Sequence, residues 1–286
     1  MTIKADVIAH SRPWWAKDDK NDIFTMELQY PRFIHSEFMT HRMFSRNASS
    51  SRAIPAGRMM QMVTEDPAMP VQWGKNQKGM QAYQTFDEDE ARVLEQVWLN
   101  GLKDATTHTG VLLAQGLHKQ LANRIMEPWA HITVVVTATE WDNFFNLRDH
   151  HAAQPEIQDL ARKMKLVQAH SVPNILEDGQ WHLPYALTGG TKKDAIRTSV
   201  AGCARVSYKN HDGSNRTTRA DVELHDTLLG MGHMSPFEHQ ATPGPEYARQ
   251  KAWTSRKGIT HIDRKRENWS GNFRNWIQYR QILAQT

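Results

Sequence analysis

The stretch from Ile132 to Ala138 (ITVVVTA) constrains the fold of this chain more than any other. Its β-branched side chains are stiff in a helix and pack well on a pleated surface, so His131 to Thr137 is expected as a buried strand. It is the longest clearly apolar run, and it falls far short of the ~20 residues that cross a bilayer. A second strand is expected from Ile23 to Tyr30, where Phe24, Met26 and Leu28 alternate with polar positions and Pro31 ends the run. Helical patterns predict segments at 33–44, from a Thr85/Glu88 capping box to about Leu113, and at 139–148, 155–170, 194–208, 220–229 and 273–283. Residues 46–51 (RNASSS) and 173–193 read as loops. The sum is a helix-rich α+β fold with a small mixed or antiparallel sheet.

Composition narrows the class. Of 286 residues, 39% are hydrophobic and 23% charged, enough for a packed core and too apolar for a disordered tail. The N-terminus has no continuous apolar segment followed by a small-residue cleavage site. The single cysteine, Cys203, can form neither an internal disulfide nor a multi-thiolate zinc site. In the small-residue context TSVAGCARV it reads as a packed, inert thiol. A soluble cytoplasmic protein without a membrane partner is expected, with residues 1–286 forming a single domain.

The net charge of +4 is uneven. Between Arg249 and Arg280 stand nine basic residues and two acids, interleaved with Trp253, Trp269, Phe273, Trp276 and Tyr279. Such a segment can be a solvated helix with an aromatic packing stripe, a binder of single-stranded nucleic acid, or a cradle for a small polyanion. Three short motifs fail on spacing. Gly189 to Lys193 lacks the phosphate-loop pattern, His35-Ser36-Glu37 lacks the cysteines of a zinc deaminase, and His233, Glu238 and His239 do not form H-E-x-x-H. No metal site is expected.

The segment from Thr40 to Arg52 (THRMFSRNASSSR) is more informative. It gathers three arginines, a histidine and four serines where a helix gives way to a loop. Guanidinium forks, hydroxyls and loop N–H groups are what a phosphate requires, although an exposed Ser-rich turn would have the same composition.

The pattern His41-Arg42, Ser45, Asn47, Ser50, Arg52 resembles the H-R-x-x-S-x-N-x-x-S-x-R signature of the flavin-dependent thymidylate synthases. Residues 140–157 (EWDNFFNLRDHHAAQPEI) resemble a second family element through Asn143, Arg148, Gln154 and Glu156, and Arg124 with Pro128 resembles its R-x-x-x-P step. A third element, Ala204-Arg205-Val206-Ser207-Tyr208 followed by His233 to His239, resembles A-R-x-C-Y and H-x-S-x-x-E-H. In the family it precedes the Arg/Ser loop; here it follows, as in a circular permutation. The segments on this reading are 22–168 with the Arg/Ser loop and the Arg148 helix, a connecting loop 169–193, the permuted segment 194–245, and a basic aromatic C-terminal extension 246–286.

The resemblance implies C5 methylation of dUMP to dTMP. FAD would be the cofactor, with methylenetetrahydrofolate and NADPH as cosubstrates, in a homotetramer with active sites between subunits. It implies a catalytic role for Arg148, which polarises the uracil ring. It implies nucleotide contacts at Glu37, Thr40, Ser50, Ser51, Arg52 and Arg124, and flavin contacts at His41, Arg42, Asn143, His233 and Ser235. The chain departs from the pattern where Thr40 replaces an arginine, Glu37 replaces glutamine, Ala48 replaces an acid and Ser207 replaces cysteine. A carboxylate only accepts hydrogen bonds, so Glu37 would also suit the amine of cytosine. That leaves open a related C5 methyl- or hydroxymethyltransferase acting on dUMP or dCMP. A further alternative is a non-catalytic nucleic-acid-binding protein.

Overall fold

The computed structural model describes residues 3–207, 215–249 and 258–284. Tyr208, Lys251, Trp253, Arg256 and Lys257 lie outside the described residues, as do the side chains of Ser207 and Arg249. Five strands form the main sheet: β1 (Lys4–Pro13), β2 (Ile23–Pro31), β3 (Ser45–Ala48), β4 (His131–Ala138) and β5 (Asn174–Leu176), in the order β3-β4-β2-β1-β5. All neighbours are antiparallel except β1 and β5. The two strands expected from the sequence are β2 and β4, and they pair with each other, Phe24 opposite Ala138 and Leu28 opposite Val134.

Alternation along this pair decides the two faces of the sheet. Met26, Leu28 and Tyr30 of β2, with Ile132, Val134 and Val136 of β4, point to one side and are buried. Against them pack Ile157, Leu160 and Met164 of α6 (Pro155–Ala169), Phe38 of α1 (His35–Met39) and Phe144 of α5 (Asp142–Arg148). Each such side chain contributes about 1.5–3 kcal/mol by leaving water, so this face holds the main core.

The opposite face is polar and carries the C-terminal part of the chain. A buried row of hydroxyls and imidazoles crosses it: His239 Nδ1 to Thr137 Oγ1 at 2.8 Å, Thr137 to Thr25 at 2.6 Å, Thr25 to His182 Nε2 at 2.8 Å, and His182 Nδ1 to Ser11 at 2.9 Å. Burial pushes both His182 and His239 down to about 3, so both rings are neutral at ordinary pH. Nearby, α7 (Lys192–Ala204) and α8 (Thr218–Gly230) pack on each other, tied by buried Asp221, which pairs with Arg205 at 3.1 Å and Arg216 at 2.5 Å. Gly232, with φ of +71°, ends α8 in a left-handed turn that a Cβ would strain, and the chain passes on to His233.

Several sequence expectations change. Residues 45–48 form a strand because β4 offers a free edge, whatever their weak β preference. The helix expected to reach Phe44 stops at Met39, where Arg46 Nη1 donates to the carbonyls of Met39 and His41 at 2.9 and 3.1 Å. The helix α3 (Glu88–Ala114) is capped by Asp87 and Glu90, two residues beyond the expected Thr85/Glu88 box, while Thr85 bridges to Gly74. Strand β1 and helix α2 (Ala56–Glu65) were not foreseen. Among the described residues no helix is long and apolar enough to cross a membrane.

The C-terminal segment is corrected most. In place of one amphipathic helix over 273–283 it makes short strands: β6 (Ala241–Pro243) pairs with β9 (Trp276–Gln278), and β7 (His261–Ile262) with β8 (Asn268–Trp269). Among the described residues of 258–284, the α-helix is confined to Tyr279–Ala284. Phe273 and Trp276 are fully buried with Ile23 and Ala241, so those rings are unavailable for stacking on bases. Arg264, Arg274 and Arg280 pair with Asp178, Glu140 and Glu238.

Candidate functional site

Arg148 is the last residue of α5, where exposed helix carbonyls favour a cation. Its side chain reaches the end of α1. Nη2 donates to the Glu37 carbonyl at 3.3 Å and to Thr40 Oγ1 at 3.2 Å, and Nε donates to His41 Nε2 at 3.0 Å. That last bond requires a lone pair on Nε2, hence a neutral His41 with its proton on Nδ1. Burial against Phe44 and Phe144, reinforced by the Arg148 and Arg46 cations, pushes His41 down to about 4. Every acceptor on Arg148 is uncharged, and among the described residues no carboxylate pairs with it. Glu37 turns its carboxylate to Ser36 Oγ at 3.0 Å instead.

A second cluster forms where the Ser loop meets a 3-10 turn, Asn123–Trp129. Residues three apart eclipse in that geometry, so Arg124 lies over Glu127. Glu127 Oε1 accepts from Ser51 Oγ at 2.5 Å and Arg124 Nη1 at 2.8 Å, and forms an ion pair with Arg32 Nε at 3.1 Å. Asn123 Nδ2 donates to the carbonyls of Ser51 and Ile54, and Lys119 to that of Ala53, which fixes the loop backbone. Arg52 is exposed, and its side chain forms no hydrogen bond among the described residues. Ser50 is half-buried.

A third set of contacts joins the Arg/Ser segment to the part of the chain read as permuted. Asn47 Nδ2 donates to the Cys203 carbonyl at 2.7 Å, and Ser235 Oγ donates to Asn47 Oδ1 at 3.2 Å. Ser45 Oγ accepts from Asn272 and Gln278, both at 3.1 Å. Thus two motifs 188 positions apart meet side chain to side chain. Cys203 itself is fully buried, and burial raises its thiol well above the ordinary value, as an inert thiol requires. Glu156 is buried and accepts from the Val71 N–H at 2.7 Å, which gives it a structural role.

Arg42, Asn143 and His233 are exposed, and their side chains form no hydrogen bond among the described residues. A cavity of about 610 Å³ opens against the polar face of the sheet, lined by Glu27, Gln29, Ser49, Thr133, Tyr185 and Arg205 among others. Tyr185 stands at φ of +58°, uncommon for a bulky residue, and donates to Glu27 at 2.6 Å. Sequence reasoning missed Glu127, Arg32, Tyr185 and His182. Only Glu127 left a trace, as an acid three residues beyond Arg124.

The sequence profile of the thymidylate synthase complementing proteins matches residues 22–174, more than half of the chain. No curated protein matches the chain. Among solved structures, a UMP/dUMP methylase from Streptomyces cacaoi bound with 5-Br dUMP is 15% identical, with 59% of this chain and 91% of that chain covered and a TM-score of 0.45. Thymidylate Synthase X from Helicobacter pylori with FAD and dUMP is 14% identical, with 58% and 93% covered and a TM-score of 0.42. The profile match assigns the family: the chain belongs to the thymidylate synthase complementing proteins, the flavin-dependent methyltransferases whose motifs it resembles.

Proposed function

We propose that this family member methylates dUMP at C5, with Arg148 as the cation that activates the ring. The observation that carries the reading is the set of acceptors around Arg148. A guanidinium held by a carbonyl, a hydroxyl and a neutral imidazole keeps its full charge while its direction is fixed. Such a cation beside N3 and O2 favours the anionic form of uracil and raises electron density at C5, a poor nucleophile otherwise. Thr40, standing where the family has arginine, adds a neutral acceptor that orients Arg148.

The donor set also fits FAD. The free guanidinium, amide and imidazole of Arg42, Asn143 and His233 suit a diphosphate and the polar edge of a flavin ring. When bound, FAD supplies hydride chemistry, with methylenetetrahydrofolate as the source of the carbon and NADPH as the reductant. Ser50, Ser51, Arg52 and Arg124 are assigned to the phosphate end of the nucleotide, and His41 and Ser235 to the flavin side through their neighbours. The assigned residues fall into separate clusters on one chain, which supports an oligomer, a tetramer by family expectation, that completes each site in a cytoplasmic enzyme. Residues 1–286 are read as one domain and segment 194–245 as permuted.

Glu37 favours a second reading. Its backbone carbonyl anchors Arg148, and among the described residues its carboxylate is bonded by Ser36 alone, so it is available to accept from a cytosine amine. On this reading the chain is a C5 methyl- or hydroxymethyltransferase for dCMP. Tritium release from C5-labelled dUMP, with FAD, methylenetetrahydrofolate and NADPH, tests the first reading. Release is expected, lowered on the order of 100- to 1,000-fold in Arg148→Ala. Release from labelled dCMP and none from dUMP would transfer the assignment to the second reading.

A further inference from the structure

We propose that Glu127 is an internal competitor for the phosphate of the substrate: its carboxylate sits in the phosphate cradle and is displaced when a nucleotide enters. The inference rests on the nucleotide-binding reading above. One oxygen, Oε1, accepts from a hydroxyl at 2.5 Å and a guanidinium at 2.8 Å and pairs with a second guanidinium at 3.1 Å, a set of groups that also suits a phosphate oxygen. The cradle is built rather than accidental, because Ser51 is only 2% exposed and its loop is pinned through Asn123 and Lys119. These pins involve backbone carbonyls and not Glu127, so the Ser51 loop keeps its place when the carboxylate swings away. The Glu127 side chain is 21% exposed, which gives it a path to solvent. Arg52 next to Ser51 is exposed and has no hydrogen bond among the described residues, which makes it a first contact for an arriving dianion.

Displacement makes binding depend on charge. A phosphate dianion brings more charge than the carboxylate it replaces, so it gains from both arginines. A nucleoside has nothing to offer the cradle and leaves Glu127 in place. The competitor thus lowers affinity for the nucleotide while leaving the nucleoside untouched, which narrows the affinity gap between them and speeds release of the product nucleotide.

The test compares Glu127→Gln with the wild-type protein by calorimetric titration of dUMP, deoxyuridine and inorganic phosphate, with melting temperature recorded for each. On the order of tenfold tighter dUMP binding is expected in Glu127→Gln, with deoxyuridine unchanged and a steeper loss of affinity with salt. Adding Arg124→Gln in the Glu127→Gln background is expected to abolish the gain. Equal or weaker dUMP binding by a folded Glu127→Gln protein overturns the proposal. Should Glu127→Gln fail to fold, Glu127→Ser replaces it, with the same expectation. If neither protein binds dUMP, it is the nucleotide reading that fails. Inorganic phosphate then still decides Glu127: tighter binding in the variant keeps its role, and equal binding removes it.

Discussion

Arg148 and Arg124 are the same group set in opposite surroundings. Both project from short helical elements toward the Arg/Ser segment. Arg148 meets a carbonyl, a hydroxyl and an imidazole that burial keeps neutral, whereas Arg124 meets a carboxylate shared with Arg32. Orientation is achieved in both, but only Arg148 retains charge that a ligand can feel. A guanidinium aligned by neutral acceptors is prepared for electrostatic work. One aligned by a carboxylate must first lose that partner.

The contrast breaks if a carboxylate is placed beside Arg148. Thr40→Asp supplies one at the hydroxyl that now accepts from Nη2, and turnover is expected to fall on the order of 10- to 100-fold, with Thr40→Asn closer to wild type. Equal rates for Thr40→Asp and wild type in the tritium assay would mean that the free charge of Arg148 is not what the site uses.

A smaller effect comes from the neutral imidazoles. His41, His182 and His239 titrate at about 4, 3 and 3 in the folded chain, below the ordinary value near 6.5. As pH falls, the unfolded chain therefore takes up these protons first. Stability is complete above about 6.5 and is lost progressively as pH falls toward 4, at about 1.4 kcal/mol per pH unit for each of the fully buried pair. Thermal melts from pH 7.5 to 4.5 should show a falling midpoint, with a shallower slope in His182→Gln. A flat profile would contradict neutral rings along the buried row. The smallest change is expected on the tied side: Arg124→Met removes a half-exposed guanidinium from Glu127 and should lower unfolding free energy in urea by less than about 1 kcal/mol.

What was legible in the sequence follows from how local its cause is. β2 and β4 announce themselves through alternation and β-branching, and α6 through Pro155 at its first turn followed by an apolar stripe. β1 was hidden because an irregularity between Val7 and Ala9 breaks its alternation, and its buried positions include His10 and Ser11. β3 was hidden because Ser45, Arg46 and Asn47 become a strand only through the edge of β4. In the candidate site, the Arg/Ser loop stood out by residue type, and Arg148 only through the family resemblance of residues 140–157. Glu127 did not, because an acid in a loop is ordinary until Ser51, Arg124 and Arg32 converge on it. The C-terminal aromatics misled for the opposite reason: their spacing is compatible with a helix, while Phe273 and Trp276 serve a small separate core.

The bonds between Asn47 and Ser235, and between Ser45 and Gln278, have a consequence in time. These partners are separated by 188 and 233 residues. At a synthesis rate of roughly 5–20 residues per second, β3 waits on the order of 10–50 s for the side chains that complete it. During that interval the β2–β4 pair can form over its apolar face, while Thr25 and Thr137 on the other side stay wet and their hydroxyls bond to water. The late segment then closes a long loop to reach them, the slow class of folding step. A polar face is what makes the wait safe: an unfinished sheet covered in threonine hydroxyls has little tendency to stick to its neighbours.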